Sequence, residues 1–222
     1  MLAENYRKVK TDLEKAAFRA GRSPEEIKLI AVTKSASLDD IKEATSLGII
    51  DFGANRVQEE ADKIKELPGV NWHFIGHLQR NKAKYVVPVY CMVQTLDRLS
   101  LARELQRCAE RFDREVDVLV QVNISGEESK FGLPPEELAS FLFQASHYDR
   151  LTIKGLMTMA PFVDDPEEAR PYFRRLRELR DENVAPGMEL PELSMGMTSD
   201  YTVAVEEGAT MVRIGGALFG RR

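Results

Sequence analysis

Apolar residues near the start of the chain recur at alternating steps of four and three. Leu2, Tyr6, Val9, Leu13 and Ala17 share one face of a helix over 2–20, which Gly21 ends. The pattern then changes to short β-branched runs separated by charged stretches with helical spacing. The runs at 28–34, 49–53, 71–76, 89–94, 116–123, 151–157, 192–195 and 210–214 predict strands. Stretches such as 56–67, 97–112, 135–146, 166–182 and 200–207 predict helices between them. Eight strands alternating with helices require parallel pairing through right-handed crossovers. The rhythm favours a single α/β domain over 1–222: a closed (β/α)8 TIM-type barrel with an extra N-terminal helix. An open doubly wound sheet is the alternative, although no Gly-rich dinucleotide turn follows the first strand.

Composition narrows the field. Hydrophobic residues at 43% and charged residues at 30% of 222 positions describe an ordinary globular chain. A net charge of −5 argues against a general binder of nucleic acid or acidic membranes. Cys91 and Cys108 lack metal-type or CxxC spacing and fit a reducing compartment. No apolar run approaches the length of a membrane span, and the charged N-terminus does not resemble a secretion signal. The expectation is a cytoplasmic protein. A monomer follows from the lack of a large apolar face once barrel and helices are assigned.

In barrels of this kind chemistry sits where strands end. The first strand runs into Lys34, the second into Asn55, the third into His77 and the fifth into Asn123. The seventh closes on Ser194 and the eighth on Arg213. A lysine that loses solvation exposes a nucleophilic amine; one that snorkels or pairs with a carboxylate does not. Paired glycines after a buried strand, here Gly215 and Gly216, either make a tight turn or let backbone N–H groups approach a phosphate. Ser194 could donate its hydroxyl to the same phosphate. Arg213 faces either the mouth or a structural carboxylate.

Other features carry less. His73 and His77 have the separation of two ligands on one helix face, but Phe74-Ile75-Gly76 between them reads as strand, so a metal site is disfavoured. The arginine-rich run from Arg170 to Arg180 reads as a solvated helix face. Met157, Met159, Met195 and Met197 read as barrel lining.

A set of segments resembles one family closely. They are Ala31-Val32-Thr33-Lys34, Gly53-Ala54-Asn55-Arg56-Val57-Gln58-Glu59 and Trp72-His73-Phe74-Ile75-Gly76-His77-Leu78-Gln79, then the loop from Asn123 to Gly132. Gly155-Leu156-Met157-Thr158-Met159-Ala160-Pro161, Leu193-Ser194-Met195-Gly196-Met197-Thr198-Ser199-Asp200 and Arg213-Ile214-Gly215 complete it. In order and nearly end to end, the chain resembles the pyridoxal phosphate homeostasis proteins, whose barrel is like the N-terminal domain of alanine racemase. The resemblance implies pyridoxal 5′-phosphate (PLP) as cofactor, held as a Schiff base on Lys34, with Arg213 facing the pyridine nitrogen. It implies Ser194, Gly215 and Gly216 at the phosphate and Asn55 near the ring; His77 joins this cofactor-binding set. Ala54, Arg56, Gly216 and Thr198 stand where the family commonly has Glu, Tyr, a small hydroxyl residue and Ser.

The implied role is in intracellular PLP (vitamin B6) homeostasis, as a carrier or regulator without strong catalysis. PLP-dependent apo-enzymes would be its partners. A pyridine nitrogen beside an arginine resists protonation, which makes the ring a poor electron sink. The resemblance to alanine racemase implies a second base from a further domain, and the chain is expected to lack one because it ends at Arg222 after the eighth strand. The alternatives are a PLP-dependent amino-acid racemase of low activity and a cofactor-free Schiff-base aldolase. A plain interaction module would make no use of Lys34 or the glycine pair.

Overall fold

The computed structural model describes residues 1–127 and 129–220; Glu128, within the loop motif quoted above, and Arg221 and Arg222 lie outside them. Helix α1 (Leu2–Arg19) leads into β1 (Lys28–Val32), α2 (Leu38–Ser46), β2 (Asp51–Ala54) and α3 (Val57–Glu66). Next come β3 (Asn71–Phe74), α4 (Ala83–Val86), β4 (Met92–Leu96), α5 (Leu99–Phe112) and β5 (Val116–Gln121). The order continues with α6 (Leu138–Ala145), β6 (Leu151–Met157), α7 (Arg170–Asn183), β7 (Glu192–Ser194), α8 (Tyr201–Glu206), β8 (Met211–Ile214) and α9 (Gly216–Phe219). The strands pair in sequence order as a closed barrel, and β1 pairs in parallel with β8 from Lys28↔Met211 to Ala31↔Ile214.

Local chemistry starts and seats the helices. Ser37 caps α2: its Oγ accepts the Asp40 N–H at 3.1 Å, while the Asp40 carboxylate accepts the Ser37 N–H at 2.8 Å. Helix α5 buries Leu101, Ala102, Leu105, Cys108 and Ala109 on one face, the spacing of an amphipathic helix on a sheet. Each fully buried leucine there contributes roughly 1.5–3 kcal/mol. On α7, Phe173, Leu176 and Leu179 are buried, and Arg170, Arg174 and Arg177 converge on the buried Glu207 at 3.1, 3.1 and 3.2 Å. The arginine-rich run is thus a docking face as well as a solvated one. Burial pushes the Glu207 carboxyl up, but its arginine partners outweigh that and hold it below the usual range.

The fourth strand departs from its expected bounds. Residues 83–86 form α4 and the next few turn, with Tyr90 packed edge-on against Phe74 at 5.5 Å, so the strand starts at Met92. It runs on to Leu96, which puts Gln94 inside the barrel wall and not at its end.

The core has two layers. Most buried apolar residues lie between the sheet and the helices, while Ile30, Met92, Leu119, Met157 and Met211 form a separate cluster. Strand alternation produces the split: along β8, Met211 joins the smaller cluster while Val212 and Ile214 belong to the larger. Met159 packs against the interior group, whereas Met195 belongs with the helices and does not line the barrel. Among the described residues no helix is long and apolar enough to cross a membrane.

Candidate functional site at the barrel mouth

Lys34 lies two residues beyond the end of β1 and is exposed. Its backbone is anchored through Thr33, whose N–H and Oγ1 both donate to the Gly53 carbonyl, at 3.0 and 3.2 Å. Its own amine makes no hydrogen bond or ion pair among the described residues. A fixed stem and an unengaged amine suit a nucleophile better than a structural ion pair.

Strand register gathers the other residues around it. Val32 pairs with Gly53, so the segments leaving β1 toward Lys34 and β2 toward Asn55 start side by side. Asn55 carries a buried Oδ1 without a partner among the described residues, and its backbone is pressed against Gly76. A Cβ at Gly76 would sit 2.0 Å from the Asn55 carbonyl oxygen, so only glycine lets these two loops approach. On the other side, Ala31 pairs with Ile214, bringing Gly215 close to Val32; a Cβ there would lie 3.3 Å from the Val32 Cβ and carbonyl oxygen. The N–H groups of Gly215 and Gly216 make no hydrogen bond among the described residues. Nearby, the half-buried Thr198 accepts the Ala217 N–H through its Oγ1 at 3.4 Å.

Ser194 is placed differently from the sequence expectation. Its hydroxyl is buried, donates to Gln94 Oε1 at 2.7 Å and accepts from Arg213 Nη1 at 2.6 Å. With its proton committed across the barrel, it is not the donor beside Gly215; Thr198 holds that place. Arg213 is buried as well, and its Nη2 donates to the Thr158 carbonyl at 2.8 Å. Burial lowers its pKa to about 10, against the pull of the Asp200 carboxylate, so it stays a cation at neutral pH.

His77 stands on the rim. Its ring stacks on Phe131, with centroids 3.8 Å apart and planes 17° from parallel, and its Nδ1 lies 3.7 Å from Asp97. Burial and Arg98 keep the imidazole below its usual pKa despite Asp97. With Asn55, Phe74, Gln79 and Lys82 it lines a cleft of about 280 Å³. His73 points elsewhere, into the barrel, where its Nε2 meets Asp51 at 3.0 Å. Asn123 organises its own loop, donating to the Glu127 carbonyl at 3.0 Å and accepting from Ser125 at 3.0 Å. Thr198, Gln94, Asp51 and Asp200 are not singled out by the sequence; for Gln94 and Asp51 the available signal is polarity at strand positions that alternation assigns to the interior, while Asp200 lies off the strands, just before α8.

The family model described as alanine racemase, N-terminal domain, matches residues 2–222. A protein from Aquifex aeolicus named pyridoxal phosphate homeostasis protein is 44% identical, over 99% of this chain and 97% of its own. The chain belongs to the pyridoxal phosphate homeostasis protein family. Among solved structures, PipY of Synechococcus elongatus with PLP bound is 35% identical, covering 99% of this chain and 100% of PipY at a TM-score of 0.84. An alanine racemase from Clostridium difficile, 13% identical, covers 99% of this chain and 57% of its own at a TM-score of 0.76, a likeness of fold alone.

Proposed function

We propose that this protein binds PLP as a Schiff base on Lys34 and serves PLP homeostasis as a carrier or regulator, without strong catalysis of its own. The observation that carries the reading is the unengaged Lys34 amine just beyond β1, the strand whose Val32 lies against Gly215, where the N–H groups of Gly215 and Gly216 have no hydrogen-bond partner among the described residues. The 35% identical PipY, solved with PLP bound, supports the same cofactor. The Lys34 amine condenses with the aldehyde of PLP and releases water, which makes capture reversible. Gly215, Gly216 and Thr198 supply two N–H groups and a hydroxyl suited to a phosphate, with Thr198 taking the part expected of Ser194. The orphaned Asn55 Oδ1 suits a polar edge of the bound group, and His77 closes the rim beside it.

Arg213 argues for storage over catalysis. A guanidinium facing the pyridine nitrogen discourages its protonation and so weakens the ring as an electron sink. Tyr201, the tyrosine nearest in sequence to the motif, donates its hydroxyl to Asp12 on α1 at 3.1 Å, and burial with Asp12 pushes its pKa up. It is a strut between helices, not a base. We further infer a single functional unit over 1–222 acting as a monomer in the cytoplasm, with PLP-dependent apo-enzymes as recipients; the free thiols of Cys91 and Cys108 accord with that compartment.

The test is the near-ultraviolet and visible absorbance of the purified protein with added PLP, beside Lys34→Ala. An imine band in the wild type alone is expected. A borohydride-reducible adduct that persists in Lys34→Ala would sink the assignment. No band in either protein would favour a cofactor-free lysine aldolase, and clear turnover in a chiral assay across amino acids would favour a racemase.

A further inference from the structure

A barrel interior of this type is usually filled by branched apolar side chains. Here Ile30, Leu119 and the unbranched Met92, Met157 and Met211 fill part of it, yet a line of polar residues crosses the same interior. Arg213 Nη1 donates to Ser194 Oγ at 2.6 Å, and the Ser194 hydroxyl donates to Gln94 Oε1 at 2.7 Å. Gln94 Nε2 meets His73 Nδ1 at 3.2 Å, and His73 Nε2 meets Asp51 Oδ1 at 3.0 Å. These five residues come from β8, β7, β4, β3 and β2 and are between 0% and 8% exposed.

The donors all run one way. An amide nitrogen only donates, so His73 accepts at Nδ1 and carries its proton on Nε2, which then donates to Asp51. The Gln94 orientation is fixed at both ends, its oxygen by Ser194 and its nitrogen by His73, with Met211 Sδ 3.6 Å from the same nitrogen. Asn71 donates to the Asp51 carboxylate at 3.1 Å and secures the far terminus. The line therefore starts at a guanidinium, ends at a carboxylate, and aligns every intervening dipole, an arrangement in which each bond strengthens the next. A buried charge without such compensation is strongly disfavoured.

We propose that Asp51, His73, Gln94 and Ser194 are positioning residues, a directional hydrogen-bond line that holds Arg213 oriented near the barrel mouth. They act through Arg213 and touch no ligand themselves. The role at the pyridine nitrogen rests on the PLP reading, whereas the line itself is a property of the ligand-free protein.

Two measurements separate these. The chain has three histidines, so long-range 1H–15N NMR of the ligand-free protein can resolve the His73 ring. The wild type should show His73 with a protonated Nε2 and an accepting Nδ1. Ser194→Ala should shift the Nδ1 resonance although Ser194 does not contact His73, and Ser194→Thr, which restores the hydroxyl, should bring it back. An Nε2-protonated ring indifferent to Ser194→Ala would overturn the line, as would an Nδ1-protonated wild type. Circular dichroism verifies that the variants are folded, and Gln94→Met supplies a second interruption should Ser194→Ala not fold. The second measurement is the pH dependence of bound-PLP absorbance. With Arg213 loosened, the ring nitrogen should protonate at higher pH in Ser194→Ala and return toward wild type in Ser194→Thr. An unmoved profile together with the expected NMR shift would overturn the positioning role; absence of PLP binding in the wild type would instead count against the PLP reading.

Discussion

Lys34 and Arg213 come from neighbouring strands, β1 and β8, and their charges are held in opposite ways. The Lys34 side chain is exposed, with no partner among the described residues. Arg213 is buried and gives N–H groups to Ser194 and to the Thr158 carbonyl. The contrast follows from what each must do. A nucleophilic amine has to shed a proton and swing onto a carbonyl carbon, and a fixed ion pair would oppose both. An electrostatic neighbour works only if it cannot turn away, so its geometry must be over-determined. One end of the site is therefore kept loose and the other kept rigid.

The rigid end should dominate stability. Arg213→Met removes the cation while leaving Ser194, the Thr158 carbonyl and the nearby Asp200 behind, and breaking a buried charged network in this way typically costs about 3–5 kcal/mol. Urea unfolding should show a lower midpoint at an unchanged slope. A loss below about 1 kcal/mol, the range of an exposed pair, would mean that Arg213 is as unconstrained as Lys34. Ser194→Ala should cost less, about 1–3 kcal/mol, because it strands one Arg213 donor and the Gln94 oxygen without removing a charge.

How much of this could be read beforehand differs between the two ends. The barrel was legible because β-branched runs and helical spacing alternate eight times, and Lys34 because it directly follows the apolar run of β1. Both signals are local. Gln94 and Ser194 are 100 residues apart and meet only because the barrel closes. The fourth strand expected from sequence ends at Gln94, whereas the strand runs on to Leu96 and places the Gln94 side chain within the wall. Ser194 was correctly placed on the seventh strand, but strand position does not say whether a hydroxyl points toward the mouth or across the barrel. His73 lies within β3 with its ring inside the barrel, whereas His77 lies beyond the end of that strand on the rim, so sequence spacing pairs two residues that the fold separates.

Lys34→Ala should leave stability within about 0.5 kcal/mol of wild type, the usual result for an exposed side chain with no partner, while abolishing the reducible PLP adduct. Stability without capture is the signature of the loose end. A variant that lost several kcal/mol would show that the lysine is also structural and would narrow the contrast with Arg213.

The smallest effect concerns the far terminus of the polar line. Burial pushes the Asp51 carboxyl up, but hydrogen bonds from His73 and Asn71 outweigh it and hold the group below the ordinary aspartate value of 3.8. A carboxylate depressed in the folded state adds stability that is fully present above its unfolded value and is lost as pH falls through the folded one. Asp51→Asn keeps an oxygen for His73 Nε2–H and removes only the charge. The variant should therefore be less stable at neutral pH and lose less as pH is lowered below the unfolded aspartate value, so that the two stability curves converge in acid. Parallel curves down to the lowest pH at which both proteins stay folded would mean that Asp51 is not held as the charged end of the line. Arg213 would then owe its compensation to Asp200 alone, and the rigidity of that side of the mouth would come from packing and from the Thr158 carbonyl.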